Sequence, residues 1–273
     1  MAAENEAHSV FFISDGTGIT AETLGNTLLT QFPEQRFVRA TIPFVNSVDY
    51  ARSVVRHIDS LSVTQPTPLV FSTVVSDEIR AELLKSKALV IDLLGEHTHK
   101  LEQTLHANAS HSPGRAHGQG DLERYNTRMH AVEFAIEHDD GQSLRALDRA
   151  DVILIAPSRC GKTPTTMYLA LQHGVFVANY PLIHEDFLTQ DLPAPLTGLT
   201  GKCFGLLSNP QRLSEIRSQR RPNSKYASIE QCRFELRNAE EMYLRYEIPF
   251  VNSANKSIEE MSSVILHSMS LKK

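Results

Sequence analysis

From residue 10 to residue 93, short apolar runs alternate with stretches whose apolar residues recur every three or four positions. Residues 10–14 (VFFIS), 37–42, 68–72 and 88–93 read as strands, and residues 49–61 and 77–84 as helices. In the helix at 49–61, Val54, Val55, Ile58 and Leu61 form the inward set. After the first strand, Gly16 and Gly18 permit a tight turn, and Ile19, Leu24, Leu28 and Leu29 mark the expected buried side of a helix. Such alternation predicts a parallel sheet covered by helices.

The pattern breaks at NASHSPGRAHGQG (108–120), small, polar and Gly-rich, where a domain boundary or mobile loop is expected. Beyond it, residues 121–138 have helical spacing through Leu122, Tyr125, Met129, Val132 and Phe134. Strands are predicted at 152–155, 174–179, 202–207 and 248–252, and helices at 165–171, 228–246 and 257–269. Ile229, Cys232, Phe234, Leu236, Met242 and Leu244 are the expected buried side of the longest of these helices. The expected organisation is α/β throughout. A parallel-sheet N-terminal domain (1–107) and a linker or mobile loop (108–120) precede a P-loop-containing, kinase-like catalytic domain (121–273).

Composition narrows the class. The 273 residues carry a net charge of -5, which argues against a general nucleic-acid binder. Cys160, Cys203 and Cys232 follow no disulfide or metal spacing, so a reducing cytoplasm is the simplest setting. The first residues lack the pattern of a secretory signal, and no apolar segment approaches the length of a bilayer span.

Candidate chemistry centres on DVILIAPSRCGKTPTTMYLAL (151–171), read as strand, tight loop and helix. The expected phosphate-binding residues are Ala156, Pro157, Ser158, Arg159, Cys160, Gly161, Lys162 and Thr163. Gly161 allows close backbone approach, Lys162 supplies an ammonium, and Thr163 offers a hydroxyl to Mg²⁺. Pro164 suits a first helical turn, which has no internal partner for its missing N–H. Arg159 could act as a second phosphate clamp, and Cys160 reads as a wall residue rather than a nucleophile. Ala156 stands where the full pattern has glycine, which requires a negative φ there.

Other positions remain open on residue type alone. Asp139 and Asp140 are either two exposed turn residues or a pair that accepts a hydroxyl proton and helps hold Mg²⁺. Arg212, Arg217, Arg220 and Arg221 form a solvated face, a phosphate clamp or a surface for an acidic partner. The turn at Gly16 and Gly18 could hold an anion but has no lysine. His106, His111 and His117 match no zinc pattern, although His117 beside Gly118 could fold over a phosphate. Three classes fit: a phosphotransferase, a nucleotide-regulated binding protein without turnover, and a structural domain whose loop is incidental.

ISDGTGITAE (13–22), HDDG (138–141), SRCGKTPT (158–165) and NSKYAS (223–228) together resemble the pyruvate, phosphate/water dikinase regulatory protein family, on its phosphoenolpyruvate synthase branch. The resemblance implies a bifunctional enzyme with phosphoenolpyruvate synthase as protein substrate, or pyruvate, orthophosphate dikinase on the sister branch. One activity would use ADP to phosphorylate and inactivate a target threonine. The other would use inorganic phosphate to remove that group, releasing pyrophosphate. It further implies the nucleotide site at residues 156–163, while residue type and placement, not the resemblance, make Lys162, Arg159, Asp139 and Asp140 the catalytic candidates. No nucleic-acid or membrane partner is expected, and a homodimer would be ordinary for such a regulator.

Overall fold

Two apolar runs, each long enough for one strand, sit at the centre of two separate sheets. A computed structural model describes residues 7–62, 66–112, 122–189 and 191–271. It divides into two compact units, Met1–Gly120 and Asp121–Lys273. His117 and residues 113–120 of the expected linker lie outside the described residues.

The first unit runs β1 (His8–Ile13), α1 (Ile19–Leu29), β2 (Phe37–Ile42), α2 (Val48–Leu61), β3 (Leu69–Ser72), α3 (Asp77–Leu83), β4 (Leu89–Asp92) and α4 (Gly95–Leu105). Its strands pair in parallel in the order β2-β1-β3-β4. Strand β1 is buried on both faces, as helix-covered parallel strands are. Val10 and Phe12 pack with Ala21, Leu29 and Phe71, whereas Phe11 and Ile13 pack with Val54, Ile58 and Val70 on the other side.

Helix α1 departs from the expected face. Ile19, Leu24 and Leu28 are exposed, and Ala21, Gly25 and Leu29 are buried. Small residues let this helix sit close to the sheet: a Cβ at Gly25 would lie 2.4 Å from the Phe12 ring. Helix α4 was not predicted, and it buries none of its residues, so it has no apolar stripe to read. Residues 108–112 of the expected linker lie against the first unit. Ala109 N–H donates to Glu102 at 2.7 Å, and a His111 ring nitrogen lies 3.1 Å from the Val75 carbonyl.

The second unit runs α5 (Leu122–Glu137), β5 (Val152–Ala156), α6 (Lys162–His173), β6 (Val177–Pro181), α7 (His184–Thr189), β7 (Cys203–Leu207), α8 (Pro210–Arg220), α9 (Ile229–Arg245), β8 (Phe250–Asn252) and α10 (Ile258–Ser268). Strand order is β6-β5-β7-β8, again parallel throughout. Every residue of β5 is buried. In α5 the buried positions are Ala131, Phe134 and Ala135, with Tyr125 exposed. In α9, Tyr243 is buried and the expected Leu244 is exposed. The Tyr243 hydroxyl donates to the Ile155 carbonyl at 2.8 Å, and burial pushes its pKa well up. Among the described residues no helix is long and apolar enough to cross a membrane.

The Tyr243 ring lies directly over β7, where a Cβ at Gly205 would meet it at 2.5 Å. Gly205→Ala should therefore overpack the centre of the sheet and cost about 1–3 kcal/mol. A urea titration should show a lower midpoint, and an unchanged midpoint would contradict this packing.

Candidate functional site

The loop between β5 and α6 is shaped by two left-handed residues. Arg159 has φ 71 and Gly161 has φ 90, while Cys160 between them has no positive φ. Alternating hands turn successive N–H groups toward one point, an anion-binding nest. The backbone amides of Arg159, Cys160, Gly161, Lys162 and Thr163 donate to no carbonyl among the described residues. The first turn of α6 adds its dipole to these amides. Ala156 ends β5 without a positive φ, so its methyl group is accommodated where glycine was expected.

A left-handed non-glycine residue costs about 1–3 kcal/mol and persists only where its surroundings impose it. Arg217 provides that restraint. Its side chain is 0% exposed and donates to the Ser158 carbonyl at 2.9 and 3.3 Å, to the Tyr226 carbonyl at 3.0 Å and to Glu235 at 2.6 Å. The guanidinium also stacks 4.4 Å over the Tyr226 ring, whose hydroxyl is 2.9 Å from Ser158 Oγ. The solvated-face reading does not fit this residue, because its guanidinium is buried and donates to protein acceptors. The exposed Arg212, Arg220 and Arg221 keep all three readings.

Lys162 is 4% exposed and folds back into the loop, where Nζ donates to the carbonyls of Ala156 at 3.0 Å and Pro157 at 3.1 Å. Burial lowers its pKa, and the Asp140 and Asp139 carboxylates oppose that shift. The Cys160 thiol is buried, and desolvation pushes it up to about 12, so only its amide is available to a ligand. Arg159 presents an exposed side chain.

The HDDG turn supplies the facing wall. Thr163 Oγ1 donates to Asp139 Oδ1 at 3.0 Å, and Asn179 Nδ2 donates to the same oxygen at 2.5 Å and to Thr163 Oγ1 at 3.1 Å. Buried His138 anchors the turn, its ring nitrogens 2.8 Å from the Phe134 carbonyl and 2.7 Å from that of Arg145. Asp140 is exposed in a left-handed conformation with φ 49. Asn179, on β6, was not singled out from the sequence, although a buried amide inside a predicted strand was a signal. Its Oδ1 is buried without a partner.

No cluster of three metal-ligating side chains is present among the described residues. Asp139 and Thr163 nevertheless bring two oxygens together, while Asn179 turns its amide nitrogen toward both. That suits Mg²⁺, which takes one or two protein ligands and completes its shell with phosphate and water. At the carboxyl ends of β7 and β8, on the same edge of the sheet as the loop, a groove of about 640 Å³ is lined by Ser208, Arg233, Phe234, Arg237 and Asn252.

A lowered lysine pKa has a signed consequence. Below that pKa the buried ammonium costs folding stability, and the cost is relieved as pH rises through it. A bound polyanion favours the charged form and raises the pKa again, so binding should take up protons in alkaline solution. Pyrophosphate affinity should fall as pH rises, starting below the ordinary lysine value of 10.5. Calorimetry in buffers of differing ionisation enthalpy checks this. Identical proton uptake by wild type and Lys162→Met would contradict it.

Comparison with known proteins agrees with the geometry. The kinase/pyrophosphorylase family pattern matches residues 10–266. A Legionella pneumophila (strain Corby) protein, named as a candidate phosphoenolpyruvate synthase regulatory protein, is 50% identical over 94% of this chain and 95% of its own length. Similarly named proteins of Burkholderia lata and Burkholderia mallei (strain SAVP1) are each 48% identical, over 96% and 97% of this chain and 97% and 98% of their own. A match of this extent leaves one conclusion: the chain belongs to the kinase/pyrophosphorylase family.

Proposed function

We propose that this chain is a bifunctional regulator of phosphoenolpyruvate synthase, an ADP-dependent kinase of a target threonine and a phosphate-dependent, pyrophosphate-forming phosphorylase of the product. The observation that carries this reading is the loop at residues 156–163, with its buried Lys162 and unpaired amides, held within a family named for both activities.

Phosphoryl transfer asks chiefly for placement and charge neutralisation. In the kinase direction, the β-phosphoryl group of ADP leaves the α-phosphate oxygen, giving AMP, and joins the threonine oxygen, which gives up its proton. In the other direction, an oxygen of inorganic phosphate takes the group from phosphothreonine, giving pyrophosphate and a restored hydroxyl. The mobile group thus passes between a threonine oxygen and a phosphate oxygen both ways. One cradle would serve both steps. The amides of residues 159–163 and the Lys162 ammonium would hold the diphosphate, and Arg159 would reach it from the solvent side.

Asp139 and Thr163 would hold Mg²⁺, which when bound neutralises phosphate charge, and the Asn179 amide would fix both in place. A carboxylate and a hydroxyl side by side support that role, since Mg²⁺ takes one or two protein oxygens and completes its shell with phosphate and water. Asp140 is free of the hydrogen bonds that engage Asp139, and its carboxylate would accept the proton of the acceptor hydroxyl. Its influence on the Lys162 pKa is consistent with a position near the cradle.

Incubation of phosphoenolpyruvate synthase with β-labelled ADP should label a threonine, and subsequent phosphate should release labelled pyrophosphate. Lys162→Ala should lose both reactions. Phosphorolysis at wild-type rate with the kinase abolished would require two cradles. Asp140→Asn should lower turnover about a hundredfold or more with little change in ADP affinity. A matched loss of affinity would remove its assigned role.

A further inference from the structure

The loop of the first unit repeats the layout of the phosphate loop in the second. Gly18 follows the end of β1 with the same spacing that separates Gly161 from the end of β5. Each glycine caps the following helix in a left-handed conformation, with φ 84 and φ 90. Thr20 and Thr163 are each the second residue of their helices, and Ile19 stands where Lys162 does. Both sheets share one strand order, so each loop lies at the switch point of its own sheet, where open α/β sheets bind ligands.

At that point in the first unit lies a cavity of about 310 Å³. Ser14, Thr20, Thr73, Arg80, Thr98 and His111 line it. Thr73 is the independent sign of an occupant. The residue is 5% exposed and lines the cavity, and its hydroxyl, which is not one of the fully enclosed unpartnered atoms, opens onto that space with no protein partner among the described residues. A ligand oxygen there would meet a ready hydrogen-bond partner held in place by its surroundings.

Charge defines the ligand class. Arg80 brings a guanidinium and His111 an imidazole to the cavity. Asp15 lines it too, but Asp15 Oδ2 accepts the Val75 N–H at 2.8 Å. Arg80 contacts Asp77 and lies 3.7 Å from Asp92. His111 faces the Val75 carbonyl at 3.1 Å, Glu102 at 3.4 Å and Asp77 at 3.6 Å, and that carbonyl and the carboxylates raise its pKa. Without an ammonium at position 19, and without the alternating hands of the second loop, a polyphosphate has little to hold it. A single tetrahedral group, met by hydroxyls, a guanidinium and helix amides, fits better.

We propose that the first unit carries a second, independent phosphoryl-binding site in this cavity, which takes inorganic phosphate or a phosphomonoester. It goes beyond the nucleotide cradle and stands or falls separately from it.

Equilibrium dialysis of the full chain against labelled phosphate tests this, with Lys162→Met used to remove the cradle. Lys162→Met should retain phosphate binding, and adding Thr73→Val, which keeps side-chain shape, should weaken it tenfold or more. Arg80→Gln should do the same and serves as the second variant should Thr73→Val fold poorly. Complete loss of binding in Lys162→Met, or binding there that neither substitution changes, would overturn the proposal. Equal binding by wild type and Lys162→Met would instead count against the cradle while leaving this site standing. O-phosphothreonine that displaces phosphate at lower concentration identifies a phosphomonoester as the occupant, and weaker displacement identifies free phosphate.

Discussion

The second unit depends on a strained loop being held open. Five backbone amides with no acceptor among the described residues, a buried ammonium and a left-handed arginine are each unfavourable in an isolated chain. They persist together because Arg217, itself fully buried, grips the Ser158 carbonyl while Glu235 neutralises it. Removing one partner of such a pair is costly, about 3–5 kcal/mol, because the other charge is left without compensation. The NSKYAS segment contributes through Tyr226, which stacks on Arg217 and meets Ser158. Its place in the motif set thus has a mechanical reason. It braces the loop.

Lys162 bonds to the carbonyls of Ala156 and Pro157 at the end of β5. An arriving polyphosphate would exchange those two contacts for charge-assisted ones, which are stronger. Thr163, Asp139 and Asn179 are similarly paired with one another. The site is therefore organised beforehand, and little side-chain ordering remains for binding to supply.

Strands were legible because each is a short apolar run ended by turn residues, as at 152–155 and 37–42. Helix faces were less so. Reading α1 by its largest apolar residues pointed outward, because the sheet selects Ala21 and Gly25 for close approach. Local spacing also marked the Gly161-Lys162-Thr163 corner and the HDDG turn. It could not show that Asp139 bonds Thr163, since that contact joins residues from different elements. Arg217 was hidden for the opposite reason: within a run of arginines nothing local distinguishes the one that is buried.

A structure of the chain bound to ADP tests the central claim most directly. The account predicts the β-phosphate among the amides of residues 159–163, with Lys162 Nζ moved from the Ala156 and Pro157 carbonyls onto a phosphate oxygen. Lys162 still bonded to those carbonyls, with the diphosphate bound elsewhere, would contradict it.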